Sequence, residues 1–329
     1  MHIVTDSPGA PQGAPTDARP RADAAPAADT ASHPAWHAWT RWPPEPAAGI
    51  PELVEEDFVL RVLDRIEADF SRVDDLEALA DLAGLSPFHF HRRFAEVMGE
   101  TVVSYGRRIR LEAAASRICR TPASILHTAH AVGYGSQAAF TRAFSRRFGL
   151  TPNRLRALAA RAAPAPRLLH HDFVAGAQVT RQEDVTLLAM RFHGGFDRIS
   201  SHWARFGAAL EAAGIGDGNL NAIGLMHDDP ALTAPSFMRF DCAVVDPDPL
   251  APPPAAPFRR LVLRAGTFAG VAVSGTPDLI AEAAFALCAV YLPRSGRMIG
   301  RAPGSIHYQA PPWQAGEAVE AMVRVPADT

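Results

Sequence analysis

The chain has 329 residues, is 48% hydrophobic and carries a formal net charge of −3 at pH 7. This length and apolar content are typical of two ordinary folded domains. Without a run of about 18 apolar residues, or a basic segment followed by an apolar one at the N-terminus, we expect no membrane span and no secretory signal, and hence a cytoplasmic protein. Three widely spaced cysteines form neither a disulfide framework nor a zinc-binding pattern, so we also expect no metal and no cofactor.

The N-terminal stretch over residues 1–50 is rich in Ala, Pro, Asp and Thr and has no hydrophobic period. Such a composition buries too little apolar surface to fold, so we predict a disordered tail. The apolar spacing then predicts an amphipathic helix from Glu52 to Phe70. A second helix is predicted over Leu76–Leu82, with Asp74 or Asp75 as its N-cap.

The central stretch contains the same pattern twice, 50 residues apart. The matching positions are Ser86, Phe90, Arg92, Phe94, Gly99 and Thr101, and then Ser136, Phe140, Arg142, Phe144, Gly149 and Thr151. Each copy predicts a short helix that begins after a capping serine, buries two phenylalanines at i and i+4 and ends at a glycine. An apolar helix and a glycine-containing turn precede each copy. The sequence therefore predicts two helix-turn-helix motifs in tandem.

The predicted recognition helices span Pro87–Met98 and Gln137–Phe148. A long helix over Thr101–Arg120 lies between the motifs and ends before a proline. Further helices are predicted over Ala123–Ala131 and Pro152–Ala162. The length of the connecting helix sets the separation of the recognition helices, which must be about 34 Å to enter successive major grooves of DNA.

Charge is concentrated in this stretch. All basic side chains other than histidine are arginine, and residues 86–161 contain 13 Arg against 3 Glu, a balance of +10. Residues 51–85 contain 11 acids against 3 Arg, a balance of −8. A basic segment within a mildly acidic protein is typical of a surface that binds phosphates.

These motifs resemble the DNA-binding domain of the AraC/XylS family of transcription regulators. The resemblance covers about Leu76–Leu158. It is carried by Gly133–Phe144 followed by Phe148–Pro152, and by Ser86–Phe94 for the first recognition helix. It implies an all-α domain that binds double-stranded DNA.

The resemblance also implies which side chains contact DNA. Residues on the outer faces of the recognition helices take the base-reading places: Phe88, His91, Arg92, Gln137, Thr141 and Arg142. Arginine can bond guanine and glutamine can bond adenine with two hydrogen bonds each. We expect a second set to contact phosphates, namely Arg93, Arg146 and Arg147.

The chain changes character after the helical region. We predict a DNA-binding domain over residues 51–161, a Pro-rich flexible linker over 162–173 and an α+β domain over 174–329. The last contains two strand-strand-helix-strand units, which implies pseudo-two-fold symmetry. Because the linker is flexible, we expect weak coupling between the two domains.

The C-terminal part resembles the GyrI-like, or BmrR-type, effector-binding domain. The matching residues are His193–Phe196, Asp228–Pro230, Tyr291–Gly296 and Val323–Pro326, with Trp203 in a helix. The resemblance implies a cleft for lipophilic molecules between the two repeats, lined by aromatic residues and centred on an acid.

One departure bears on the ligand. Met322 stands where relatives often have Glu or Asp, so no buried carboxylate is expected to pair with a cationic ligand. We therefore expect a neutral lipophilic effector. Its predicted contacts are Trp203, Phe240, Tyr308, Trp313 and Met322.

Three functions remain open from the sequence. The first is a sequence-specific transcription regulator that senses a small lipophilic ligand, with RNA polymerase as a further partner if it is an activator. The second is a GyrI-like hydrolase of a reactive lipophilic compound, which would need an acid and a tyrosine in the cleft. The third is a sensor domain that binds a protein. We expect a regulator without enzymatic activity.

Overall fold

The computed structural model describes residues 49–69, 75–162, 168–216, 220–230, 232–300, 302–314 and 318–328. Residues 1–48 of the tail predicted over 1–50, the predicted helix end at Phe70 and the alternative cap Asp74 lie outside the described residues. Ile50, at the end of that predicted tail, is described and packs against the first helical core. Within these ranges no helix is both long and apolar enough to cross a membrane.

The first half of the described chain is helical. Its helices are α1 (Asp57–Ala68), α2 (Leu76–Ala83), α3 (Pro87–Met98), α4 (Val102–Arg120), α5 (Ile125–Ala131), α6 (Gln137–Phe148) and α7 (Pro152–Ala162). The predicted bounds of α3, α6 and α7 are confirmed. Asp75 caps α2, because its carboxylate accepts a hydrogen bond from the Ala78 N–H at 3.1 Å.

Helix α1 begins five residues later than predicted, because the residues before it pair with a strand. The Glu52 carbonyl accepts a hydrogen bond from the His193 N–H at 2.7 Å, and the Val54 N–H donates to the Arg191 carbonyl at 3.2 Å. Leu53 forms a β-bridge with Phe192. The first residues of the helical half are therefore attached to the sheet of the other half.

Helix α4 belongs to two hydrophobic cores. Its first part, with Tyr105 and Ile109, packs with α1, α2 and α3. Its last part, with Leu111 and Ile118, packs with α5, α6 and α7. Each helix-turn-helix motif therefore has its own core, and α4 joins them rigidly.

The predicted linker is partly helical. Helix α8 (Leu168–Gly176) occupies most of its second half, and residues 163–167 lie outside the described chain. The buried His170 of α8 contacts Glu282, with 2.7 Å between Nε2 and Oε2. This packing against the C-terminal half explains why the segment is ordered despite a weak helical pattern.

The second half is built on one antiparallel sheet. Its strands are β1 (Gln178–Gln182), β2 (Val185–His193), β3 (Ala222–Met226), β4 (Arg239–Val245), β5 (Arg259–Leu263), β6 (Gly266–Gly275), β7 (Met298–Ile299), β8 (Gly304–Tyr308) and β9 (Val319–Asp328). The order is β1-β6-β9-β8-β3-β4-β2-β5, with β7 beside β9. Strands β8 and β3 meet at the centre, and the outermost strand on each side pairs with the other repeat. The expected α+β fold and its pseudo-two-fold symmetry are confirmed.

Two details of the repeats differ from the predictions. Strand β8, which the sequence analysis missed, completes the second repeat as β-β-α-β-β. The predicted helix over Pro277–Tyr291 is α10 (Asp278–Phe285) followed by a π-helical turn over Ala286–Tyr291. Helix α9 (Ile199–Ala212) is the equivalent helix of the first repeat.

The sheet has two differently covered faces. Helices α9 and α10 pack on the first face in the main core of this half, against residues such as Phe240 and Val323. The second face carries a smaller apolar cluster around Leu225 and Ala243. Beside that cluster, the second face meets helix α1 of the helical half.

Candidate DNA-binding surface and effector site

The two recognition helices are built alike. Helix α3 follows Ser86, whose side chain makes no capping hydrogen bond, so the predicted serine cap is absent there. Helix α6 follows Ser136, whose hydroxyl accepts a hydrogen bond from the Ala139 N–H at 3.2 Å, as predicted. Both helices end at a glycine with a positive φ of 67° to 69°, a conformation that favours glycine. The paired phenylalanines of both helices are fully buried, with ring centroids 5.9 Å and 5.4 Å apart. The same face of each helix is thereby held inward.

The outer faces carry the predicted base-reading residues. Phe88 is 81% exposed, which is unusual for so large an apolar side chain. The other exposed members of the predicted set are His91, Arg92, Gln137 and Arg142, and Thr141 is half-buried. The structure thus places these side chains where a duplex could reach them, and their contacts with bases stay a prediction.

The three predicted phosphate contacts have different environments. Arg146 is exposed on α6. Arg93 is half-exposed, and its Nη2 lies 3.0 Å from Glu56 Oε1.

The neighbouring Arg147 is turned inward, so its assignment as a phosphate contact is corrected. Its side chain is only 14% exposed, and its Nη2 donates to Glu112 Oε1 at 2.6 Å. Its guanidinium also lies 5.7 Å from the ring centroid of Phe237, which belongs to the C-terminal half. The acid and the ring that hold Arg147 are 35 and 90 residues away in sequence, so local spacing could not reveal them.

Four predicted effector contacts form one aromatic cluster on the first face of the sheet. Trp203 lies at its centre and packs against Phe240, Tyr308 and Trp313, with ring centroids 5.2–6.2 Å apart. The indole N–H of Trp203 donates to the Tyr308 hydroxyl at 3.2 Å. Trp313 closes the cluster: a Cβ added at Gly207 would lie 2.5 Å from its Cγ. The cluster is therefore packed shut by its own side chains.

Met322, the fifth predicted effector contact, lies on the other face of the sheet. Its neighbour Ala321 pairs with Tyr308, whereas Met322 pairs with His307. Successive residues of a strand point to opposite faces. The prediction that Met322 shares a site with the four aromatic residues is therefore wrong. A match to a family position identifies the strand that carries a residue, but the face of the sheet depends on the pleat.

The second face holds a buried ion-pair network that the sequence analysis missed. Arg191 is fully buried, and its Nε and Nη2 donate to the two carboxylate oxygens of Asp241 at 2.6 Å and 3.1 Å. Its Nη1 and Nη2 donate to Glu67 of α1 at 2.8 Å and 3.1 Å. Arg259 contacts both Asp241 and Asp64 of α1. The available signal was the presence of charged residues in three largely apolar strands: Arg191 in β2, Asp241 in β4 and Arg259 in β5.

Glu67 is the centre of this network. It also accepts hydrogen bonds from the Tyr105 hydroxyl at 2.6 Å and pairs with Arg239 at 2.9 Å. Burial alone would raise the pKa of Glu67, but Arg191 and Arg239 hold it well below its ordinary value. Because Tyr105 packs edge-on against Phe94 of α3, a continuous set of contacts joins the sheet to the first recognition helix.

The β3–β4 connection makes a second contact between the halves. Asp229 pairs with Arg120 at the end of α4 at 2.5 Å. Leu232 is buried in the core of the second helix-turn-helix motif. The ring of Phe237 lies 4.4 Å from the Arg108 guanidinium carbon. Through these contacts the two halves pack directly against each other.

Comparisons with known proteins agree with this division. Residues 79–157 match a family described as a helix-turn-helix domain, and residues 178–320 match the GyrI-like small molecule binding domain. The HTH-type transcriptional regulator GlxA of Rhizobium meliloti (strain 1021) is 41% identical over 98 residues, which are 30% of this chain and 30% of that protein. The bifunctional transcriptional activator/DNA repair enzyme AdaA of Bacillus subtilis (strain 168) is 31% identical over 105 residues, or 32% and 50%.

A third relative is matched over most of its length. The probable transcription factor PqrA of Proteus vulgaris is 34% identical over 103 residues, which are 31% of this chain and 84% of that protein. This chain spans only 30% and 50% of the first two relatives, so their whole activities do not carry over. The matched domain is the tandem helix-turn-helix described above. The chain belongs to the AraC-type family of helix-turn-helix transcription regulators and carries a C-terminal GyrI-like domain.

Proposed function

We propose that the protein regulates transcription by binding a specific DNA sequence with both recognition helices, and that its GyrI-like half senses a small lipophilic molecule. One observation supports this most directly: α3 and α6 have the same buried phenylalanine pair and the same glycine end, and both expose an arginine at the equivalent place on the outer face. A repeated fold of this kind on one rigid connecting helix suits two adjacent segments of the major groove.

Residues on the outer faces of α3 and α6 would contact the base edges. Arg92 and Arg142 occupy equivalent places and can each make a two-donor contact with guanine, worth about 1–3 kcal/mol of discrimination. Phe88 offers an apolar contact to a thymine methyl group. Arg146 and Arg93 supply phosphate contacts that fix the register and make affinity depend on salt.

The aromatic cluster supports the sensing part of the proposal. Trp313 covers Trp203 and lies in a turn after β8, so it is the ring that a ligand would have to displace. The four side chains of the cluster are aromatic and none of them is a carboxylate, which favours a neutral lipophilic ligand over a cationic one.

The names of the matched relatives bear on enzymatic activity and on binding partners. The matched relatives are named as transcription regulators, and one of them is also a DNA repair enzyme. We propose that this chain has no enzymatic activity of its own. Double-stranded DNA is its proposed partner, and RNA polymerase is a second one if the protein activates transcription.

A DNA-binding selection from random or genomic fragments with the purified chain tests the proposal. We expect one asymmetric motif with two boxes about one helical turn apart. Arg92→Ala should degrade one box and Arg142→Ala the other, whereas the control Arg181→Ala, an exposed arginine on β1, should leave both intact. Binding that depends on salt but not on sequence would contradict the proposal.

A further inference from the structure

A cavity lies between the two halves, apart from the aromatic cluster. Its volume is about 740 Å³, within the range of about 300–1,000 Å³ typical of small-molecule sites. Its walls come from α1, α4 and the end of α5 on one side, and from the second face of the sheet, the β3–β4 connection and α10 on the other. The four aromatic residues of the cluster do not line it.

The acids around this cavity already have cationic partners. Glu67 and Asp241 are bonded by Arg191, Asp228 by Arg239, and Glu112 by Arg108 and Arg147. Carboxylates that each accept from one or more guanidinium groups offer little to a further cation. The cavity is therefore a poor site for a cationic ligand, although many acids surround it.

Several hydrogen-bond donors on the walls have no acceptor among the described residues. The hydroxyl of Thr233, which is 1% exposed, has no partner. Buried Nε atoms of Arg117 and Arg120 on α4, and of Arg259 on β5, also lack one. All four residues line the cavity. Buried polar groups in native proteins are nearly always paired, so this set of donors calls for an acceptor.

The arginines in this set have different surroundings. Arg259 is 7% exposed, and burial lowers its pKa to about 10 although it contacts Asp64 and Asp241. Arg117 and Arg120 lie three residues apart on α4, which puts their side chains on one face of the helix. Arg120 already donates from its Nη2 to Asp229 at 2.5 Å, and its Nε is the donor without a partner. An oxyanion between the two guanidinium groups and the Thr233 hydroxyl would accept from the donors that Asp229 leaves unpaired.

We propose that the cavity between the halves binds a small molecule with an anionic oxygen group, either a carboxylate or a phosphate monoester. The oxyanion would lie against Arg117, Arg120 and Thr233. The apolar part of the ligand would lie against Ala281 and Ala284 of α10 and Cys288 of the π-helical turn that follows it, which line the same cavity. An acceptor-only group with two or three oxygens matches the guanidinium geometry better than an amide or alcohol does.

Such a ligand would touch both halves at once. Arg117 and Arg120 belong to the helix that separates the recognition helices, and Thr233 belongs to the β3–β4 connection. Binding would therefore favour one arrangement of the halves, and by linkage DNA and the acid would change each other's affinity. Only this consequence rests on the proposed function; the binding site itself does not.

The test uses the full chain and three matched pairs of probes: benzoate with benzamide, octanoate with octanamide, and phenyl phosphate with phenol. Thermal shifts identify binders and isothermal titration calorimetry gives their affinities. We expect at least one acid to bind in the micromolar to low millimolar range while its neutral partner does not.

Three variants test whether the acid binds in this cavity. Arg117→Gln should weaken binding of that acid about tenfold or more, because a charge-assisted hydrogen bond is lost. Thr233→Val should weaken it less, and Arg181→Gln on the outer strand should not change it. Failure of all three acids to bind would overturn the proposal, as would equal affinity of the Arg117→Gln and Arg181→Gln proteins.

The acid-binding experiment and the DNA selection can succeed or fail independently. Specific DNA binding without acid binding would overturn this inference and leave the proposed function standing. Acid binding that depends on Arg117, together with DNA binding that does not depend on sequence, would support this inference and contradict the proposed function.

Discussion

The two helix-turn-helix motifs share a local design, yet they attach to the GyrI-like half in different ways. The first has a core made of α1, α2, α3 and the start of α4, and it meets the sheet through the charges of Asp64 and Glu67. The second has a core that includes Leu232 of the β3–β4 connection, with Phe285 of α10 packed against it. The first contact is mainly ionic, whereas the second combines apolar packing of Leu232 with the Arg120–Asp229 ion pair.

This difference has a physical consequence for regulation. Ion pairs depend on exact partners and on the protonation of their carboxylates, whereas apolar packing depends on shape and buried area. A change on the second face of the sheet should therefore reach the first motif through charges. A movement of the β3–β4 connection should reach the second motif through its core.

The largest expected effect comes from breaking the ionic contact. Glu67→Gln leaves Arg191 and Arg239 with one carboxylate fewer in a buried network, which should lower the free energy of unfolding by about 3–5 kcal/mol. Urea denaturation measures this. The control Asp57→Asn removes an exposed partner of Arg61 and should cost less than about 1 kcal/mol. Similar small losses in both variants would show that the network contributes little.

Removing the apolar contact should have the next largest effect. Leu232→Ala creates a cavity in the second core and should cost about 2–4 kcal/mol. Amide hydrogen exchange should speed up in α5 and α6 while α2 and α3 stay protected. Leu250→Ala, at a 95% exposed position, serves as the control. Equal acceleration in both motifs would contradict the separation of their cores.

His193, whose N–H bonds the Glu52 carbonyl in the strand pairing before α1, should make the stability depend on pH. Burial, together with Arg191 and other nearby arginines, lowers the pKa of His193 to about 3 from an ordinary 6.5. Below pH 6.5 the unfolded chain therefore binds a proton that the folded chain does not. The free energy of unfolding then decreases by about 1.4 kcal/mol for each unit by which the pH is lowered. Between pH 6.5 and pH 5 the loss should be about 2 kcal/mol.

The variant His193→Asn isolates this contribution. Denaturation at pH 7 and pH 5 should show a difference about 2 kcal/mol smaller in the variant than in the unchanged protein. An identical pH dependence in both proteins would mean that His193 is charged or solvated in the folded state.

The smallest effects distinguish two neighbouring arginines on α6. Arg146→Gln should leave stability unchanged and lower the salt slope of DNA binding by about one. Arg147→Gln removes a partner of Glu112 and should cost about 1–3 kcal/mol of stability with little change in the slope. Fluorescence anisotropy at several salt concentrations, with denaturation in parallel, measures both. A reversed pattern would restore Arg147 to the DNA surface.

The local structure of the helical half could be predicted from short stretches of sequence. The serine caps, the phenylalanine pairs and the glycine ends are short-range signals, so α3, α6 and α7 were predicted to the residue. The outer faces of α3 and α6 followed from the same spacing. The aromatic residues of the cluster were also predicted together, because the resemblance placed them on matching repeats.

The contacts between distant segments could not be predicted in this way. Strand β8 exists because β3 and β9 flank it, and its own five residues carry a weak pattern next to prolines. Residues 52–54 read as the start of a helix but pair with β2 instead. The inward turn of Arg147, the opposite face of Met322 and the network around Glu67 all depend on partners tens of residues away. Burial of a charge is set by what packs over it, and a linear pattern of residues does not contain that information.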